Sequence, residues 1–188
     1  MGSCPLVQGQ SLTCRSGGVY DRSSERTPGG CYGDLQDKQE AFGGEAEANL
    51  VDRLRATGNL ILSLVAIENQ EVVGHIAFSL VRIDSTAGTK DAVGLGPLAV
   101  LPAFQRRGIG SELVPAGLAK LQKAGHGVVV VLGHPEYYPR FGFVPAAHHR
   151  VRWEHDAPSE AFMVKKLITG ALQGVRGAAK FRPEFDSV

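Results

Sequence analysis

The segment from Gln105 to Ser111 carries residue types that could hold an anion. It reads Gln-Arg-Arg-Gly-Ile-Gly-Ser and lies between an apolar run that ends at Val100 and an amphipathic run. Glycines let backbone N–H groups approach a ligand closely, and the first amides of a helix lack intrahelical acceptors and lie at the positive end of its dipole. Arg106 and Arg107 add positive charge beside them. The pattern predicts a cradle with the charge and size for a pyrophosphate.

Three other interpretations of the glycines in this part of the chain can be compared on the residues themselves. An ordinary tight turn with solvated arginines needs nothing beyond the two glycines. A Walker loop needs GxxxxGK[ST], yet Ser111 follows Gly110 directly with no lysine between them. A dinucleotide fingerprint GxGxxA occurs at residues 94–99, but it lies inside a strand pattern, contains Pro97 and opens no helix. Both nucleotide motifs are therefore disfavoured, and the ordinary turn stays open at this point.

The composition indicates one ordinary domain. The chain has 188 residues, 43% hydrophobic and 21% charged, which is long enough to bury a sizeable core. A formal net charge of +1 offers no field for a polyanion and argues against nucleic acid as a partner. No apolar run approaches the ~20 residues that span a bilayer, so we expect no membrane partner. Cys4, Cys14 and Cys31 lack metal-binding spacing and no signal-peptide pattern is present, which together predict a cytoplasmic protein.

Hydrophobic periodicity predicts alternating helices and strands after a start rich in glycine and serine. Residues 1–37 show no sustained period and are predicted to be a flexible N-terminal tail. An amphipathic helix then runs from Gln39 to Gly58. Its apolar face holds Phe42, Ala46, Leu50, Val51 and Leu54.

The later elements are, in order, strands over 60–67, 72–83 and 93–100, a helix from about 107 to 125, a strand over 128–132 and a last strand over 161–167. The first two strands form a hairpin across a tight turn at residues 68–71. Because Val128 to Leu132 is apolar throughout, that strand is predicted to be central. The pair Gly96-Pro97 is predicted to make the preceding strand bulge or splay.

Two motifs, in this order, resemble those of the GNAT superfamily of N-acetyltransferases. Leu98-Ala99-Val100, then Pro102, then Gln105 to Gly110 before a helix are similar to its [QR]xxGxG/A acetyl-CoA motif. After the next strand, Tyr138 to Phe143 resembles its YxxxGF segment, and the surrounding run is similar to a bacterial branch of predicted acetyltransferases. The resemblance implies a single α/β domain with a mixed, splayed central β-sheet flanked by helices. It covers residues 38–168 and leaves 169–188 as a C-terminal extension.

The resemblance also implies where acetyl-CoA would lie as a co-substrate, with no metal ion. The amides that hold the pyrophosphate would be those of Arg107, Gly108, Ile109, Gly110 and Ser111. Gln105 and Arg106 would begin that loop. Backbone groups of Leu98, Ala99 and Val100 would pair with the pantetheine arm like an added strand. One of their N–H groups would polarise the thioester carbonyl.

The same resemblance implies that an amine attacks the thioester directly. It also implies which residues act as acid and base in this reaction. Tyr138 matches the tyrosine that protonates the departing thiolate and is the predicted general acid. The strand from Val93 to Val100 carries no carboxylate, although some superfamily members keep their general base there. His134, at the end of the predicted central strand, is a weak candidate for the base. Glu45 and Glu47, on the first predicted helix, are alternatives.

The predicted function is therefore transfer of the acetyl group from acetyl-CoA to an amine, in a small molecule or a peptide. Two alternatives stay open: a CoA or acyl-CoA sensor that catalyses no transfer, and an acyltransferase that uses a longer acyl group. The superfamily also begins with a strand before the first helix, yet residues 1–37 show no alternating apolar pattern. An uncovered sheet edge would favour a homodimer.

Overall fold

A mixed sheet of nine strands and two α-helices make up the computed structural model, which describes residues 18–21, 45–69, 71–86 and 88–187. The strands are β1 (Gly18–Asp21), β2 (Leu60–Glu68), β3 (Glu71–Ser85), β4 (Gly88–Val100), β5 (Val128–Leu132), β6 (Val144–Pro145), β7 (Val151–Trp153), β8 (Phe162–Lys166) and β9 (Gly177–Lys180). The helices are α1 (Glu45–Ala56) and α2 (Ile109–Lys123). This architecture confirms the predicted mixed α/β sheet flanked by helices.

Strand β5 lies in the middle of the sheet, as predicted. The strand order is β1-β2-β3-β4-β5-β8-β6, and β9 pairs with β3 and β7 away from this path. Strand β5 runs parallel to β4 and antiparallel to β8. Each residue from Val128 to Val131 is at most 1% exposed, because β-branched side chains on both faces of a strand pack well when both faces are covered.

Helix α2 covers one face of the sheet. Its apolar residues recur at helical spacing and are buried in a cluster with strand residues such as Phe78. These helix residues are Leu113, Val114, Leu118 and Leu121. The packing is close because Gly117 has no side chain, and a Cβ there would collide with the Phe78 ring. Neither α1 nor α2, the two α-helices of the described residues, has the length and apolar character to cross a membrane.

The C-terminal segment lies on the opposite face. Val93 and Leu95 of β4 pack in the α2 cluster, so Gly94 between them faces away from α2. A Cβ on Gly94 would lie 2.7 Å from the Phe181 ring, which shows that the chain beyond β9 covers this face. The predicted C-terminal extension, residues 169–188, is thus built into the sheet and its second layer over the part that the structure describes, residues 169–187.

Helix α1 lies on the same face as this C-terminal segment. Glu184, in a 3₁₀ turn over Pro183–Ser187, accepts a hydrogen bond from Asn59 Nδ2 at 2.8 Å just after α1. The Glu184 carbonyl accepts another from Arg53 of α1 at 2.8 Å. These contacts fix the end of α1 against the chain terminus.

Two expectations for the N-terminal part are corrected by the structure. Strand β1 forms within the predicted tail and pairs antiparallel with β2, from Gly18 opposite Ile67 to Asp21 opposite Leu64. The prediction of a flexible tail therefore does not hold at these four residues, where a strand is present that the sequence pattern did not indicate. Of the predicted apolar face of the first helix, Leu50, Val51 and Leu54 are buried. Ala46 is exposed instead, and Phe42 lies outside the described residues.

Strand β4 changes register at Gly96-Pro97, as predicted. Its pairing with β3 runs from Gly88 to Leu95 and again from Leu98 to Val100, with a register shift between the two stretches. Its pairing with β5 covers only Val93 to Leu95. Beyond Leu95 the two central strands of the described chain are no longer paired, so the sheet opens next to the start of α2.

Candidate active site

Two hydrogen bonds tie the loop from β4 to α2 to the sheet. Leu101 donates its backbone N–H to the Val73 carbonyl at 3.0 Å. The Gln105 side chain donates from Nε2 to the Val100 carbonyl, also at 3.0 Å. Gln105 therefore anchors the loop, and residues 106–111 are presented at the point where the sheet opens.

Gly108 caps the N-terminus of α2 in the left-handed backbone conformation, with φ of 92°. A Cβ on Gly108 would meet nothing within 4 Å, so the requirement for glycine is conformational rather than spatial. The N–H of Glu112 donates to the Gly108 carbonyl at 3.1 Å. The amides of Ile109, Gly110 and Ser111 precede this bond and, as at the start of any helix, lack intrahelical acceptors, so they can bind an anion.

The two arginines of the loop differ in their surroundings. Arg107 forms an ion pair with Glu68 of β2 at 2.7 Å, and its guanidinium lies over the Phe104 ring at 5.0 Å. Arg106 is exposed and has a left-handed φ of 61°. The expectation that both side chains add charge beside the helix start therefore fits Arg106, whereas the Arg107 charge is partly neutralised by Glu68.

A backbone edge of β4 lies beside this loop. On one side, Leu98, Ala99 and Val100 pair with Ile76, His75 and Gly74 of β3. On the side of β5, no strand in the described residues pairs with these three, because the β4–β5 ladder ends at Leu95 and Val131. An extended arm of a ligand can bind such an edge as an added strand does.

Tyr138 begins a 3₁₀ turn, Tyr138–Phe141, shortly after β5. Its ring is 7% exposed and packs edge-on against Phe143, with ring centroids 5.7 Å apart. Gly133 makes room for this ring, since a Cβ there would collide with Cε2 of Tyr138. Burial raises the pKa of Tyr138 to about 12, so the phenol is neutral and able to donate a proton at physiological pH.

Tyr137 points to the start of α2. The Ser111 side chain lies close enough to lower the pKa of the Tyr137 hydroxyl, although burial raises this pKa more strongly. The same oxygen lies 2.6 Å from the position that a Cβ on Gly110 would occupy, and Leu98 Cδ2 lies 3.9 Å from that position. The Tyr137 phenol therefore lies against the first turn of α2, in the neighbourhood of Leu98 of β4. Only Tyr138 matches the motif, so the sequence indicates Tyr138 and not its neighbour.

The candidate bases lie on different elements. The His134 imidazole is exposed, while its carbonyl accepts the amides of Tyr137 at 3.0 Å and Tyr138 at 3.5 Å. Glu47 precedes Leu50 of α1 by one turn and therefore faces the sheet. Its Oε2 is buried without a hydrogen-bond partner among the described residues, and burial raises the Glu47 pKa. The side chain of Glu45 lies outside the described part of the chain.

One buried polar pair near the open edge is not among the site residues predicted from the sequence. His75 is 6% exposed, and its Nε2 lies 2.9 Å from Ser63 Oγ of β2. His75 pairs directly with Ala99 in the β3–β4 ladder, so the two side chains share a face. The available signal was a lone histidine inside an apolar strand run. Within the described ranges, no group of three or more His, Cys, Asp or Glu side chains could hold a metal ion.

Known proteins are similar to this chain in sequence and in fold. Residues 60–145 match the family model described as an acetyltransferase (GNAT) domain. The chain is 40% identical over 149 residues to the uncharacterized N-acetyltransferase YhbS of Escherichia coli strain K12, across 79% of this chain and 88% of that protein.

Two solved structures cover nearly the whole chain. The crystal structure of YhbS from Escherichia coli in complex with CoA has a TM-score of 0.76 and 34% identity, over 95% of this chain and 96% of that one. A GNAT family acetyltransferase from Brucella melitensis in complex with acetyl-CoA has a TM-score of 0.66 and 34% identity, over 90% and 98%.

The open mixed sheet beside a glycine-capped helix and the similarity to these relatives together place the chain in a class of acetyltransferases. The chain belongs to the GNAT family. The predicted family and fold class are therefore confirmed.

Proposed function

We propose that the protein transfers the acetyl group of acetyl-CoA directly to an amine acceptor. The observation that carries this proposal is the junction at the end of β4, where an open backbone edge, a glycine-capped helix start and two tyrosines meet. The relatives that cover most of the chain were solved with CoA and with acetyl-CoA, which supports the same donor here.

In this proposal the chain binds the donor mainly through its backbone. The loop residues that hold the pyrophosphate are Gln105, Arg106, Arg107, Gly108, Ile109, Gly110 and Ser111. The edge formed by Leu98, Ala99 and Val100 binds the pantetheine arm, and one N–H of this edge polarises the thioester carbonyl. An oxyanion donor of this kind contributes about 3 kcal/mol in other acyl transfers.

Tyr138, the predicted general acid, donates a hydrogen bond to the thiolate as it leaves. A thiol has a pKa of ~8.5, so complete transfer from a phenol with a pKa of about 12 costs roughly 5 kcal/mol. Tyr138 therefore acts chiefly as a hydrogen-bond donor to the developing thiolate, and full transfer needs a shift of its pKa when the donor binds.

The acceptor must lose a proton as it attacks. An alkyl amine with a pKa of ~10.4 costs about 4.6 kcal/mol to deprotonate at pH 7, so a base near the acceptor is useful. His134 is the base predicted from the sequence, at the turn that also carries Tyr138. The buried Oε2 of Glu47, with its raised pKa, favours Glu47 as the second candidate.

Thiol release from acetyl-CoA with a panel of alkyl, aryl and peptide amines tests the proposal. We expect turnover with at least one amine, and a loss of ~10- to 100-fold in kcat for Tyr138→Phe with CoA affinity within twofold of wild type. His134→Gln and Glu47→Gln identify the base, because only the true base variant loses the acidic limb of the pH–rate profile.

The two alternatives give different results in the same assay. CoA binding without turnover on any amine would support a sensor and contradict the proposal. Faster turnover with propionyl- or butyryl-CoA than with acetyl-CoA would show an acyltransferase for a longer group.

A further inference from the structure

We propose that Tyr137 is a positioning residue for CoA, which ties the first turn of α2 to the turn that carries Tyr138. This inference rests on the proposed function, since it concerns how the same site holds its donor. Tyr137 is the residue after Glu136 and before the motif tyrosine, and no family motif assigns it a role in this chain.

The Tyr137 hydroxyl occupies the space above the second glycine of the loop. A Cβ on Gly110 would lie 2.6 Å from this oxygen, and the next nearest atoms would be Tyr137 Cζ at 3.7 Å and Leu98 Cδ2 at 3.9 Å. Only the oxygen would therefore be too close, because the other two distances are ordinary van der Waals contacts. Position 110 requires glycine because any larger residue would collide with the Tyr137 hydroxyl.

This hydroxyl also interacts with a side chain of the first helical turn. Ser111, next to the amides that are free to bind an anion, lowers the Tyr137 pKa, while burial raises it more strongly, so the phenol is neutral at physiological pH. The contact of the hydroxyl with Gly110 restrains the start of α2, where a helix is otherwise free to fray.

The ring of Tyr137 is held by the turn that carries Tyr138. Arg140 lies over the ring at 4.6 Å from its centroid, and Arg140 Nε donates to the Tyr137 carbonyl at 2.9 Å. The rings of Tyr138 and Phe141 contact it edge-on, with centroids 5.1 and 5.3 Å away. A displacement of this turn therefore moves the hydroxyl at the helix start.

Tyr137 thus connects the two ends of the site. The pyrophosphate end of CoA lies at the amides next to Ser111, and the thiol end lies at Tyr138. When CoA binds at one end of the site, the residues at the other end are already ordered. Less conformational entropy is therefore lost on binding.

The test is a cycle of four proteins: wild type, Tyr137→Phe, Gly110→Ala and the double variant. CoA binding is measured by calorimetry, with circular dichroism as the check on folding. We expect Tyr137→Phe to weaken CoA binding by ~3- to 10-fold and Gly110→Ala to weaken it by more than 10-fold. The double variant should recover to the affinity of Tyr137→Phe, because the nearest atom to the new Cβ is then 3.7 Å away.

Each other outcome overturns the inference. If Tyr137→Phe binds CoA as tightly as wild type, the hydroxyl positions nothing. If the double variant binds no better than Gly110→Ala, the cofactor itself excludes a Cβ at Gly110 and Tyr137 is not the reason for the glycine. If wild-type protein fails to bind CoA, the proposed function fails as well, so the two failures are distinguishable.

Discussion

Gly133 lies directly beneath the ring of Tyr138, so that a Cβ on Gly133 would collide with Cε2 of the ring and lie 3.1 Å from Cδ2. We predict that Gly133→Ala displaces the phenol, lowers the free energy of unfolding by ~1–3 kcal/mol through overpacking and lowers kcat at least tenfold. Urea unfolding and thiol release measure the two effects.

A glycine at the other end of β5 is the matched control. A Cβ on Gly127 would lie 3.0 Å from the Ala171 Cβ, away from both tyrosines. We expect Gly127→Ala to change stability without changing kcat. Equal kcat values for the two variants would contradict the assignment of Tyr138 to the reaction.

The pKa of Tyr138 predicts how stability depends on pH. Its folded value, about 12, lies above the unfolded value of ~10, so this stabilisation is fully present below pH 10 and is lost as the pH rises towards 12. Over that range the ionisation of Tyr138 should lower the free energy of unfolding by roughly 3 kcal/mol. Urea unfolding of wild type and Tyr138→Phe at pH 9, 10 and 11 measures it, and parallel slopes in the two proteins would contradict the buried phenol.

The left-handed conformation of Gly108 predicts an order among substitutions. Valine in that conformation is strained by ~1–2 kcal/mol, whereas asparagine adopts it more readily and also caps helices. We expect Gly108→Val to weaken CoA binding at least tenfold and Gly108→Asn to weaken it less. Because a Cβ at this position meets nothing within 4 Å, a result in which both variants bind equally poorly would contradict the conformational explanation.

The two arginines of the loop should contribute unequally to CoA affinity. Arg107 is engaged with Glu68, in a pair whose side chains are 51% and 28% exposed, so Arg107→Ala should change the free energy of unfolding by less than ~1 kcal/mol and CoA affinity by less than twofold. Arg106→Ala should weaken CoA binding ~3-fold at low salt and less at high salt. Calorimetry at two salt concentrations measures both, and a larger loss for Arg107→Ala would contradict the geometry.

Local rules made the loop and its surroundings predictable. The left-handed turn at Gly108, the apolar strand β5 and the bulge at Gly96-Pro97 each follow from backbone or side-chain preferences of a few neighbouring residues. The helix α2 follows from the spacing of its buried leucines. These features can be predicted without knowing which residues distant in the sequence they contact.

Features that depend on distant partners were not predictable. Strand β1 is four residues long and exists through its pairing with β2, so the sequence carries no period for it. Two adjacent tyrosines give no sign of which ring enters the core and which hydroxyl reaches α2. The pairing of Arg107 with Glu68 joins residues far apart in the chain.

The most direct test of the account is thermal unfolding of wild-type protein and Gly108→Val with acetyl-CoA, CoA, ATP and NAD at matched concentrations. A ligand at 100 times its dissociation constant stabilises a protein by ~2.7 kcal/mol, which raises the Tm of a domain of this size by about 5–10 °C. We predict that rise for wild type with acetyl-CoA and CoA alone, and a rise about half as large or smaller in Gly108→Val, because a tenfold weaker affinity leaves about 1.4 kcal/mol of stabilisation. No shift with either CoA species, or a larger shift with ATP or NAD, would contradict the placement of the donor at this loop.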